Sequence, residues 1–125
     1  MAINLMWDWR PYLLVNDEKG IRDLVGEMLE SKGYPVLEAK DGAHALEISE
    51  RHEGPIHLVV TDVEMPEMSG RDLAEHLTRQ RPEMKVIYMS GTAKDALDLG
   101  PGAIFLRKPF SMDTLAATVR AVLEV

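Results

Sequence analysis

Short apolar runs recur along this 125-residue chain, and each is followed by a stretch whose apolar residues return at helical spacing. Tyr12-Leu-Leu-Val15 opens the series as a continuous apolar run, the pattern of a strand buried on both faces. Ile21, Leu24, Val25, Met28 and Leu29 then repeat with the period of a helix, which Gly33 stops. Val36-Leu-Glu-Ala39 is a second strand, ended by the turn signal Asp41-Gly42, and a short helix from Ala43 to about Arg51 closes at Gly54-Pro55. His57-Leu-Val-Val-Thr61 is the third strand, and Gly70 to about Gln80 is a helix with Leu73, Ala74 and Leu77 on one face, broken by Pro82. Val86-Ile-Tyr-Met89 and Ala103-Ile-Phe-Leu106 supply two more strands. Ser111 is placed to cap a last helix carrying Leu115, Val119, Val122 and Leu123. Strands that alternate with helices make βαβ units, so the expected fold is α/β, a doubly wound parallel sheet covered on both faces.

In open sheets of this kind, function gathers beyond the carboxyl ends of the strands. That rule brings Asn16-Asp17-Glu18, Asp62, Ser90-Gly91 and Lys108-Pro109 to one rim. Each residue alone is a common cap or turn residue. Together they are chemically complementary. The carboxylates of Asp17 and Asp62 repel one another unless a cation sits between them, and Mg²⁺ accepts one or two protein carboxylates while keeping several waters. Lys108 adds positive charge and Ser90 a hydroxyl. A carboxylate so surrounded can act as a nucleophile toward phosphorus, with its neighbours neutralising the transferred group.

Composition narrows the classes. With 21 acidic against 14 basic residues the net charge is −7, which disfavours direct binding to nucleic acid, whose affinity comes from basic contacts. There is no cysteine, so thiolate and disulfide chemistry are excluded; a reducing cytoplasm is the expected setting. Residues 1–10, with Trp7, Asp8 and Trp9, read as an N-terminal extension too short to span a bilayer, and residues 11–125 as the domain itself. The histidines (His44, His52, His57, His76) lack metal-ligand spacing, and Arg71, Arg79 and Arg81 are expected on a solvated face.

From Tyr12 to the last helix the sequence resembles the response-regulator receiver domain of two-component signalling. The resemblance rests on Leu-Leu-Val-Asn16-Asp17-Glu18, on Leu-Val-Val-Thr-Asp62-Val-Glu-Met-Pro66-Glu-Met-Ser-Gly70, on Val-Ile-Tyr-Met-Ser90-Gly91 and on Leu-Arg-Lys108-Pro109-Phe110. It implies a flavodoxin-like five-stranded sheet of order 2-1-3-4-5. It also implies that Asp62 accepts a phosphoryl group from a sensor histidine kinase or a histidine phosphotransfer protein. Asp17, Asp62 and the backbone carbonyl of Glu64 would hold Mg²⁺, with Asn16 contributing through a water. Lys108 would pair with the acyl phosphate, and its bond to Pro109 would be cis. Ser90 and Phe105 would form the switch, and Glu64 and Thr92 would modulate phosphoryl lifetime. The protein would then be a signalling switch in a phosphorelay, catalysing only its own phosphorylation and dephosphorylation. Membranes would play no part, and a homodimer is left open.

Two departures from the family pattern stand out. Asn16 replaces the first of the usual two acids after the first strand, so weaker Mg²⁺ affinity is expected. Only Thr92 to about Leu99 is available for a fourth helix before Gly100-Pro-Gly102, so that helix is expected to be short or irregular, with an unusual output or dimer surface. Asn16 also sustains the alternative of a degenerate receiver that acts as a non-phosphorylated interaction module. An aspartyl-phosphate phosphatase would want a second Asp where this chain has Glu64, and a flavin-binding domain a glycine- or hydroxyl-rich loop in place of Asn16-Asp17-Glu18. With no output domain after Val125, the chain is expected to be a stand-alone regulator or a segment of a larger protein; Ser90-Gly91 and the stretch from Gly100 to Ser111 look like receivers of hybrid histidine kinases, which favours the segment.

Overall fold

A computed structural model describes residues 11–100 and 102–123; the N-terminal extension lies outside them. The elements alternate as expected: β1 (Tyr12–Val15), α1 (Lys19–Ser31), β2 (Val36–Ala39), α2 (Gly42–Arg51), β3 (Leu58–Asp62), α3 (Gly70–Gln80), β4 (Lys85–Ser90), α4 (Ala93–Leu99), β5 (Ile104–Arg107) and α5 (Met112–Leu123). All pairings are parallel, in the order β2-β1-β3-β4-β5. The expected boundaries fall within a few residues of these.

Successive side chains of a strand point to opposite faces, so the sheet divides the interior in two. Tyr12, Leu14, Leu58, Val60, Ile87, Met89 and Leu106 pack against Val25 and Leu29 of α1 and Leu115, Val119 and Val122 of α5. On the other face Leu13, Val15 and Val59 meet Ala45 of α2 and Leu73 and Leu77 of α3. Each fully buried Leu contributes roughly 1.5–3 kcal/mol. Both cores therefore hold the strands rigidly and leave their carboxyl ends free for polar chemistry.

Caps set where the helices begin. Asp41, Ser69, Thr92 and Ser111 accept the backbone N–H groups of His44 (2.8 Å), Asp72 (3.1 Å), Asp95 (3.2 Å) and Thr114 (3.1 Å). The fourth helix is short, as expected: α4 has seven residues and stops at Gly100, whose φ of 82° suits glycine. Its only buried residue is Asp95, and Leu97 is 81% exposed, so no apolar stripe fastens it to the body.

Arg81 corrects an expectation. It follows α3 and is half-buried rather than solvated, donating to Ser49 Oγ (2.9 Å) and to the carbonyls of Ser49 (2.9 Å), His52 (3.0 Å) and Gly54 (2.7 Å). A guanidinium offers five N–H donors in a fixed fork, which suits the end of α2, where carbonyls are left without helical partners.

Candidate functional site at the carboxyl rim of the sheet

Register places the candidate residues side by side. Val15 pairs with Thr61, so Asn16 and Asp62 come next on adjacent strands. Asp62 pairs with Met89, one residue before Ser90, and Ser90 pairs with Arg107, one residue before Lys108. The Lys108 N–H donates to the Ser90 carbonyl at 2.7 Å, and the Lys108–Pro109 bond is cis. Thus Asn16, Asp62, Ser90 and Lys108 form one row across four strand ends.

Asp62 is 7% exposed. Its Oδ1 forms an ion pair with the Lys108 ammonium and meets no hydrogen-bond donor of ordinary geometry besides. The loop behind it is drawn tight: Val63 N–H donates to Met89 O (2.9 Å) and Gly70 N–H to Val63 O (2.8 Å). A Cβ at position 70 would overlap the Asp62 carbonyl oxygen, which is why the chain needs glycine there.

Burial pushes the Asp62 carboxyl above the ordinary carboxylate range; the hydrogen bond and charge of Lys108 pull it down, and the charges of Asp17 and Glu18 push it up. A carboxylate raised this way keeps its proton in the native state at a pH where the unfolded chain has lost it. Stability therefore falls as pH rises from the ordinary Asp value through the raised one, then stays at the lower level. In chelator-treated buffer Asp62→Asn is expected to melt higher than the wild type at neutral pH. Thermal melts down to about pH 3, below the ordinary Asp value, would show whether that advantage closes; an advantage constant with pH would refute the linkage.

Asn16 is fully buried. Its Oδ1 accepts the Glu18 N–H at 2.9 Å, its carbonyl accepts Arg22 Nη1 at 2.7 Å, and its Nδ2 is buried without a partner. A hydrogen bond from the Glu18 N–H requires the oxygen on that side, so the atom left over is a donor. Arg22, which also faces Glu38 at 3.6 Å, was not among the expected site residues although it pins the Asn16 backbone. Asp17, Glu18, Glu64 and Thr92 are exposed at the mouth, and Phe105 is half-buried on β5 opposite Tyr88.

Asp95 was also missed. The Ser90 hydroxyl donates to its carboxylate, both residues being buried. Ser90 Oγ in turn accepts the Thr92 N–H at 3.1 Å, while Thr92 Oγ1 caps the Asp95 N–H. Thr92-Ala-Lys-Asp95 has the spacing of a capping box, the one signal in the sequence that could have flagged it. Here Ser90 takes the place of the direct return contact.

Mg²⁺ requires oxygen donors and tolerates few carboxylates. The Asp17 and Asp62 side chains and the Glu64 carbonyl are of that type, and the acidic charges felt at Asp62 call for a cation, so the donor set fits the ion. No cluster of three or more His, Cys, Asp and Glu side chains that could hold a metal occurs among the described residues.

Fold and rim together define a doubly wound α/β domain with a buried carboxylate met by a lysine. A family model described as the response regulator receiver domain matches residues 12–120, and the chain belongs to that family. It is 45% identical over 116 residues to the sensor kinase CckA of Brucella abortus, a match covering 90% of this chain and 12% of that protein. It is 35% identical over 115 residues to the response regulator receiver protein CpdR of the same organism, covering 89% of this chain and 94% of CpdR. Among solved structures, the response regulator protein TrrA of Thermotoga maritima, in complex with Mg(2+)-BeF, superposes with a TM-score of 0.80 at 30% identity, covering 90% of this chain and 98% of that one. No helix of the described residues is long and apolar enough to cross a membrane.

Proposed function

We propose that this chain is a phosphoacceptor switch of a cytoplasmic phosphorelay, taking a phosphoryl group from a phosphohistidine onto Asp62. The observation that carries this reading is the buried Asp62 carboxylate, with the Lys108 ammonium against one oxygen. A carboxylate oxygen forms the new bond to phosphorus as the P–N bond of the donor breaks. The imidazole leaves with the electron pair and takes up a proton. Lys108 offsets charge gathering on the phosphoryl oxygens, and Ser90, one strand over, has a hydroxyl to give them. Asp17, Asp62 and the Glu64 carbonyl are the residues to hold Mg²⁺, which when bound would supply the remaining positive charge. The Mg(2+)-BeF complex of the related TrrA supports that assignment.

A sensor histidine kinase or phosphotransfer protein is the proposed donor. An apolar groove lined by Ile21, Leu24, Met28 and Phe110 runs beside Lys108 and gives such a protein a place to rest. The chain transfers no group but its own phosphoryl group, so we class it as a switch and not as an enzyme acting on a separate substrate. The short α4 makes for an unusual output surface.

Intact-protein mass after incubation with acetyl phosphate tests the reading. A gain of one phosphoryl group, present with Mg²⁺ and absent with chelator, is expected. No gain at any Mg²⁺ concentration, repeated with a phosphorylated donor protein, would favour the non-phosphorylated interaction module. Asn16→Asp restores a second carboxylate and is expected to tighten Mg²⁺ about tenfold by ligand charge, measurable by calorimetry. Unchanged affinity would show that position 16 does not face the ion.

A further inference from the structure

We infer that Asp95 is a positioning residue that restrains the switch: it holds the only proton of the Ser90 hydroxyl, and with it α4, until a phosphoryl group on Asp62 competes that proton away. The inference rests on the phosphoacceptor reading above and adds to it a residue and a mechanism of restraint.

A serine hydroxyl has one hydrogen to donate. In this structure it goes to the Asp95 carboxylate, while the oxygen is engaged by the Thr92 N–H. Ser90 cannot serve an acceptor at Asp62 while that bond stands. Both ends are sequestered, with Ser90 5% and Asp95 7% exposed, so the bond is little weakened by water. It also ties its helix to the body, beside an exposed bond from Arg71 Nη1 to the Asp98 carbonyl at 3.1 Å. Asp95 is the sole buried residue of α4, and Thr92 both caps α4 through Asp95 N–H and donates to Ser90 Oγ. Most surface helices are fastened by an apolar stripe; this one is fastened by polar bonds, and the buried one leads to the reacting rim. Rotation of the Ser90 hydroxyl toward Asp62 therefore loosens α4 in the same event, leaving the exposed Arg71 bond to the Asp98 carbonyl. The coupling runs both ways, so loosening α4 eases ligation at Asp62.

Beryllofluoride with Mg²⁺, as a phosphoryl stand-in, provides the test by calorimetric titration of the full chain. Hydrogen bonds to charged groups are worth enough to shift an equilibrium about tenfold or more. Asp95→Ala is expected to bind beryllofluoride about tenfold tighter than the wild type, and Asp95→Asn, with a neutral acceptor of the same size, to fall between them. In a Ser90→Ala background the same Asp95→Ala change is expected to alter affinity less than about twofold, since no proton remains to be released. In the free protein, amide exchange at Thr92 should quicken in Asp95→Ala. If α4 merely frays and the substitution acts by general destabilisation, the affinity change will be the same in both backgrounds, and the latch is refuted. If Asp95→Ala fails to fold, Asp95→Asn carries the comparison, and no tightening there refutes it equally. Wild-type protein that binds no beryllofluoride would instead overturn the acceptor reading, and the latch with it.

Discussion

Asp62→Ala is expected to take up no phosphoryl group from any donor, small molecule or protein. The substitution removes the nucleophile, and among the described residues no other carboxylate at the rim shares its position: Asp17 and Glu18 are exposed, whereas Asp62 is buried at the end of β3 against Lys108. Intact mass resolves this without ambiguity. Residual uptake in Asp62→Ala would mean that the acceptor is another side chain. The substitution also leaves Lys108 without its ion-pair partner, so a thermal melt read beside the mass shows that the variant is folded.

Lys108→Ala is expected to slow phosphoryl uptake from acetyl phosphate by about a hundredfold or more, with the same final mass. Loss of one preorganised donor at a developing negative charge commonly costs about 10²–10³ in rate. Lys108 is the cation in direct contact with Asp62 Oδ1. Its removal also leaves a buried acid facing the repulsion of Asp17 and Glu18, so Asp62 should bind a proton more readily and fewer molecules will carry the nucleophilic carboxylate. A time course of mass gain, run at several pH values, separates the two effects. Lys108→Arg keeps the charge and should recover part of the rate. If Lys108→Ala matched the wild type, the ion pair would be a packing detail.

Much of this site was legible because strand ends obey a simple rule. Once Leu-Val-Val-Thr61 is read as a buried strand, Asp62 must lie at its carboxyl end, and the same holds for Ser90 and Lys108. Strand order was another matter. Periodicity says that strands alternate with helices but not which are neighbours, and the order 2-1-3-4-5 came from family resemblance before the pairings bore it out. The short α4 was readable from Gly100 and Gly102. The partners of Asp95, Arg22 and Arg81 were not, and for one reason: each acts through a side chain that reaches across elements, to Ser90, to the Asn16 carbonyl and to the α2 end respectively. A charged residue on a helix looks solvated in one dimension. The orientation of the Asn16 amide was equally hidden, because it is decided by a backbone N–H two residues on.

Arg81 sits at the far side of the molecule from this chemistry, where its guanidinium gathers three carbonyls and a hydroxyl between Ser49 and Gly54. Undoing such a knot breaks four hydrogen bonds at once, so amides at that end should exchange with solvent more slowly than those of α4. The α4 segment, fastened by the Ser90–Asp95 bond and an exposed bond from Arg71 Nη1 to the Asp98 carbonyl, should exchange through small local openings. The domain is thus mechanically lopsided. One end is tied more firmly than the other, so a local opening at the rim would be taken up by α4 before it reached the far end of the sheet.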